Sequence, residues 1–240
     1  VLVVLKLLLV ACLVWSAFYG RREYRRLLEQ SAEERTTAQR GFLSRGSVRK
    51  SLMLLASLAL LSAGERHLPF QFEHADTSST LSWCLSSFVL MALTVPIFRR
   101  WGDWQLLFLL KCAGGLIPRT ARGRKRFIGV AALAGVGEEI IFRWFLTDLF
   151  IELFHLDFTY ALVASSALFG FAHLYQGVRG VALTGLMGFV FGTIWVDSGT
   201  LIVPIFLHFL LDARIPFVLT DARLSELDAL ARAKAAAAAA

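Results

Sequence analysis

Charge is scarce in this 240-residue chain. Asp, Glu, Lys and Arg supply 18% of its residues, against roughly 25% in an ordinary soluble domain. Hydrophobic residues supply 57%, and the mean hydropathy is +0.62. A soluble globular protein would have to turn much of that apolar surface to water, so that class is excluded and a polytopic membrane protein is expected. Cysteine is scarce too. Cys12, Cys84 and Cys112 are odd in number, scattered and set in or beside apolar runs, without disulfide-framework or metal-ligand spacing. No solenoid-type repeat occurs.

What is present is a series of apolar runs. A helix needs about 20 such residues to cross a bilayer, and seven segments come near that length. They are Val1–Tyr19 (which also reads as an uncleaved signal-anchor), Ser51–Gly64, Leu81–Phe98, Phe127–Phe150, Phe158–Leu174, Val181–Val196 and Leu201–Leu219. Trp101–Pro118 mixes Trp101, Asp103, Trp104 and Lys111 with leucines and reads as an interfacial helix before the fourth span. The expected fold is therefore all-α, a polytopic transmembrane bundle of about seven spans. Residues 1–126 form its N-terminal membrane helices, 127–219 its core and 220–240 a tail.

The net charge of +7 does not point to nucleic acid, because the basic residues lie between apolar spans. Residues 20–50 hold nine Lys or Arg and residues 99–126 hold eight, together 17 of 25. The loops of the other side carry Arg66 among Glu65, Glu73, Asp76, Asp148, Glu152, Asp157 and Asp197. The positive-inside rule then places the basic segments and the tail in the cytoplasm. Trp15, Trp83 and Trp195 fall near span ends, where interfacial tryptophans are expected. The 20–50 segment reads as a charged helix extending span one, its basic face suited to anionic lipid.

Ionisable residues inside a span are costly and mark function. Span four carries Glu138, Glu139 and Arg143; span five carries Phe169 and His173; span seven carries His208 and Asp212. Glu139 and Arg143 are four apart, so they share a helix face and can pair, whereas Glu138 points about 100° away. His208 and Asp212 are again four apart. Glu138 and His208 lie at a common depth of roughly 16 Å from the basic side at 1.5 Å per residue. A carboxylate screened from bulk water makes a general base, and a neighbouring histidine can share the water it activates. A second histidine can donate to a developing oxyanion, with Asp212 orienting it or donating when protonated. Together these groups suit a water-activating amide hydrolase. His-Glu-x-x-His, Gly-x-Ser-Gly and Gly-x-Gly-Asp are all missing, which removes the usual zincin, serine and aspartyl alternatives.

Three motifs carry a resemblance. Glu138-Glu139-x-x-x-Arg143, Phe169-x-x-x-His173 and His208-x-x-x-Asp212 occur in order on separate spans, with Gly188-x-x-x-Gly192 and Gly199-Thr200-Leu201-x-x-Pro204 between them. In these the chain resembles the CPBP family of CAAX proteases and bacteriocin-processing enzymes, over residues 127–219. The resemblance implies an intramembrane endopeptidase. In it Glu138 and His173 would activate water and His208 and Asp212 would stabilise the oxyanion. Glu139 and Arg143 would brace the site, with Phe169 packed against it. Its eukaryotic branch has Asn where this chain has Asp212, so bacterial-type peptides stand beside prenylated CAAX proteins as expected substrates.

No cofactor is required on this reading. A zinc ion, if present, would sit on Glu138, His173 and His208. The expected partners are membrane lipids and a peptide or lipidated-protein substrate, with the site opening to the cytoplasmic side. The rival reading is a non-catalytic bacteriocin-immunity or scaffold protein of the same fold. A transporter is disfavoured, since no inverted repeat or matched pair of broken helices is present.

Overall fold

Inside lipid every backbone N–H and C=O must find a partner within its own segment, and a helix achieves this for any apolar sequence. The computed structural model describes residues 1–29, 32–63, 72–101, 116–117, 120–220, 222–227, 229–230 and 233. Among these it contains helices and no strand. The chain forms α1 (Leu2–Glu29), α2 (Ala32–Ser62), α3 (Thr77–Trp101) and α4 (Ala121–Glu138), then a π-helical segment Glu139–Leu146 that leads into α5 (Thr147–Phe154). There follow α6 (Phe158–Ala172), a 3-10 turn Leu174–Gln176, α7 (Gly177–Ser198), α8 (Ile202–Ala213) and the short α9 (Ile215–Val218).

Helix ends follow side-chain chemistry. Thr120 caps α4 by accepting from the Gly123 N–H at 3.0 Å, and Asp76 accepts from the Ser79 N–H at 2.8 Å before α3. That bond, with other serine contacts, holds the exposed Asp76 carboxyl below its ordinary range. Gly199, at φ 74°, closes α7 in a left-handed conformation that only glycine takes without penalty.

Leu2–Glu29, Thr77–Ile97 and Leu174–Ser198 are long and apolar enough to cross a membrane, and Phe158–Ala172 is a shorter apolar helix. Large hydrophobic side chains stand outward along them, among them Leu8, Phe18, Leu85, Phe88, Leu93 and Leu186. An apolar exterior of this extent marks a lipid-facing surface. The protein is a helical membrane bundle.

Packing runs helix against antiparallel helix. Glu23 of α1 pairs with Arg45 and Arg49 of α2, and Tyr24 meets Phe42, so α1 and α2 form a hairpin. Residues 20–50 therefore do not continue span one as a single helix: α1 ends at Glu29, and α2 returns from Ala32 through the predicted Ser51–Gly64 span. α6 packs on α7 through glycines. A side chain at Gly170 would meet the Gly185 Cα at 3.0 Å. The Gly188 and Gly192 pair also packs inward, against Phe169 and Leu162. α4 lies on α8, where a side chain at Gly135 would meet the Ile205 carbonyl at 2.9 Å.

These pairings bring the tip of the α1–α2 hairpin, the basic start of α4, the turn after α6 and the end of α8 to one end of the bundle. Tyr24 packs on Tyr175 there, and Arg214 donates to Thr94 Oγ1 at 2.7 Å. The opposite end holds His74, whose ring nitrogen lies 3.1 Å from the Val196 carbonyl oxygen.

Three further expectations change. Trp195 is fully buried against Phe72, Phe158, Ile140 and Leu201, so it is a core residue and not an interfacial one. The fourth predicted span is not a uniform α-helix, because its middle widens into the π segment. The seventh breaks at Arg214, where Pro216 occupies the first turn of α9 and its missing N–H is tolerated. Leu224 and Leu227, from the 220–240 tail, are buried against Ile117, Val218 and Leu219. The proposed interfacial helix over 101–118 lies almost wholly outside the described residues, as do Cys112, Glu65 and Arg66.

Candidate functional site

The π segment sets the geometry of the site. Two hydroxyls converge on the carbonyl of Phe142: Ser165 Oγ of α6 donates to it, and Thr147 Oγ1 approaches at 3.3 Å. Side-chain hydroxyls are partners that a widened turn can use inside a membrane. Glu138 is the last α-helical residue before the widening and Glu139 is the first within it. The two carboxylates consequently serve different neighbours.

Glu139 is fully buried. Its Oε1 accepts from His208 Nδ1 at 2.7 Å, and its Oε2 lies 3.1 Å from Arg143 Nε. The Arg143 contact is an ion pair without hydrogen-bond alignment. The guanidinium also lies over the Phe169 ring at 4.1 Å and faces Phe191 at 5.6 Å. A desolvated cation over an aromatic face contributes about 2 kcal/mol. Gly188 leaves room for this arrangement, since a side chain there would stand 3.3 Å from Arg143 Nη2.

Glu138 faces the cavity. Its Oε2 lies 3.7 Å from His208 Nε2 and 3.9 Å from His173 Nε2. Both gaps exceed a direct hydrogen bond and suit a bridging water. His173 Nδ1 lies 2.9 Å from the Phe169 carbonyl, to which it donates, so the neutral ring presents the Nε2 lone pair toward Glu138. Asp212 Oδ2 stands 3.8 Å from His208 Nε2. Phe169 packs edge-on to His173 at 4.8 Å, and Phe191 covers His208 at 5.3 Å.

The structure thus brings Glu138, His173, His208 and Asp212 together, with Glu139, Arg143 and Phe169 behind them. His208 Nδ1 is held by Glu139, while Asp212 approaches the other ring nitrogen. One residue was missed. The Lys50 ammonium of α2 bonds to Glu138 Oε1. At the sequence level Lys50 was one of nine basic residues in a charged stretch, and nothing in its neighbourhood singled it out.

All four polar groups line a cavity of about 790 Å³. Its wall is mostly apolar, built from α1, α2, α4, α6, α7 and α8, and it reaches from Glu138 to Phe42, Phe127, Gln176 and Ile215 at the basic end. A metal ion on Glu138, His173 and His208 would have to share the Glu138 carboxylate with a cation. Lys50 already brings a positive charge to Glu138 Oε1. Among the described residues no group of three His, Cys, Asp or Glu side chains is disposed to hold an ion.

A membrane-embedded helical bundle with carboxylates and imidazoles gathered at the base of an apolar cavity defines, as a class, an integral membrane protein with a buried acid–base centre. Within that class, residues 124–214 match the family model described as Type II CAAX prenyl endopeptidase Rce1-like. This segment, from the first turn of α4 to the end of α8, is similar to that family, and the match supports a membrane protease. Comparisons with curated proteins and with solved structures found no match. Residues 1–123, with α1, α2 and α3, lie outside the matched segment.

Proposed function

We propose that the protein is an intramembrane endopeptidase that hydrolyses peptide bonds of membrane-associated substrates, lipidated or bacterial peptides, with Glu138 as general base. The observation that carries this reading is the approach of Glu138 Oε2 to two imidazole nitrogens, at 3.7 and 3.9 Å, in the wall of an apolar cavity. A water donating one hydrogen to Glu138 Oε2 and the other to His173 Nε2 turns its lone pair outward, toward a carbonyl carbon. As the water oxygen bonds to that carbon, Glu138 takes the proton and negative charge develops on the carbonyl oxygen. His208 spends Nδ1–H on Glu139, so it donates from Nε2 to the oxyanion as the imidazolium, with Glu139 and Asp212 as counter-charge. Collapse of the tetrahedral species breaks the C–N bond, and the proton held by Glu138 passes to the leaving amine.

No metal enters these steps. The support is that Lys50 takes the Glu138 oxygen not facing the imidazoles and that Glu138 Oε2 and His173 Nε2 suffice to hold the water.

The test is turnover of a peptide library, with and without a prenylated C-terminal cysteine, by the full chain in liposomes. Glu138→Gln should lower turnover by roughly 10²–10⁴-fold, the range lost with a general base, while 1,10-phenanthroline leaves the native rate unchanged. Chelator-sensitive cleavage would restore a metal to the site. A folded native chain that cleaves nothing would sink the protease reading.

A further inference from the structure

Lys50 belongs to none of the motifs and lies outside residues 124–214, yet its ammonium is bonded to Glu138. We propose that Lys50 is a positioning residue of the hydrolytic centre: bonded to Oε1, it fixes the Glu138 carboxylate with Oε2 facing both imidazoles. The inference rests on the reading of Glu138 as the base.

Three observations carry it. A glutamate carboxylate turns about its last torsion with a broad, two-fold preference. His173 and His208 both stand beyond hydrogen-bond distance of Oε2 and do not fix that torsion. The bond to Lys50 does. The path of the lysine is also built. The side chain lines the cavity, and its stem crosses α4 at Gly137, where an added side chain would meet Lys50 Cγ at 3.3 Å. Charge gives the third. Glu138, Glu139 and Asp212 stand around two imidazoles, and Arg143 answers Glu139 from within α4 and its π extension. The cation bonded to Glu138 comes from α2.

A lysine at this place in the sequence would ordinarily snorkel along the lipid toward the basic interface. Here it turns inward onto a glutamate that is itself only 8% exposed. The hydrolytic centre is therefore completed by a helix outside the matched domain, and α2 is part of the active site.

The experiment measures kcat and KM of the full chain in liposomes with the peptide cleaved by the native protein. Lys50→Met should lower kcat by roughly 100-fold with KM little changed, as expected for a misaligned base. Lys50→Arg should recover part of that loss. Lys50→Ala should regain rate, saturably, in added propylammonium. A Lys50→Met chain within about threefold of native overturns the proposal. So does an equal loss in the Met and Arg variants, without amine rescue and with a lowered unfolding temperature, which is the signature of a purely structural residue. A native chain that cleaves no peptide overturns the base reading instead. The infrared carboxylate band of Glu138, identified by its disappearance in Glu138→Gln, then judges the pairing alone. A band unmoved by Lys50→Met would overturn it.

Discussion

Glu139 meets a cation on one oxygen and a ring N–H on the other, and water reaches neither. Removing it as Glu139→Ala leaves the fully buried Arg143 charge without a counter-ion, a change that costs about 3–5 kcal/mol when a buried pair is broken from one side. The expected result is a large drop in unfolding temperature in detergent. Turnover should fall as well, since His208 Nδ1 loses the acceptor that sets its orientation. Glu139→Gln separates the two effects. An amide oxygen can still accept from Nδ1, so this variant should keep more activity than Glu139→Ala while remaining destabilised. Equal stability of Glu139→Ala and native protein would show that the cation over Phe169 and Phe191 needs no carboxylate. Spacing alone made the Glu139–Arg143 pair legible, because residues four apart meet on any helix. The partner of His208 was not legible. Asp212 sits one turn away and is the obvious local choice, whereas Glu139 reaches it only because α4 and α8 lie closely packed at Gly135.

At the scale of elements, the apolar runs announced the helices, and the departures from them have local causes. Pro216 ends α8 near Arg214, a break visible in the sequence once the proline is placed at a first turn. The π segment gives no such sign. Nothing in Glu139–Leu146 itself marks a change of helix type, and its widening depends on Ser165, 23 residues further on, turning its hydroxyl to the Phe142 carbonyl. Lys50 escapes notice for a similar reason, its partner being 88 residues away on another helix. The role of Ser165 is open to measurement. Ser165→Ala should cost about 1 kcal/mol, because Thr147 Oγ1 still approaches the same carbonyl at 3.3 Å. Adding Thr147→Val leaves the carbonyl without either hydroxyl and should cost about 1–3 kcal/mol more. The double variant should also lose turnover, since a segment relaxing toward α-helical spacing would carry Glu139 away from His208 and Arg143 away from Phe169. Losses in the two single variants that simply add would show that the hydroxyls do not share one acceptor.

For the whole molecule, the arrangement of charge is the argument for how it sits in a membrane. The cavity extends from Glu138 toward the end where the α1–α2 hairpin, the start of α4 and the end of α8 meet. That end holds Arg40, Arg45, Arg122 and Arg126, while Asp76, Asp157 and Asp197 flank helix ends near the other. The positive-inside rule predicts that the cavity mouth and the basic end face the cytoplasm. The assignment can be tested with a membrane-impermeant maleimide, after replacing Cys12, Cys84 and Cys112 by alanine. A cysteine at the exposed position 40, Arg40→Cys, should label only in inverted vesicles. One at the exposed position 157, Asp157→Cys, should label only in intact, right-side-out cells or spheroplasts. Labelling of both from one side would mean that the bundle does not separate these positions across the bilayer, and the reading of α6 as a crossing would fall with it. The opposite pattern, position 40 from outside, would keep the bundle and reverse its orientation, so that the substrate would have to approach from the far side of the membrane.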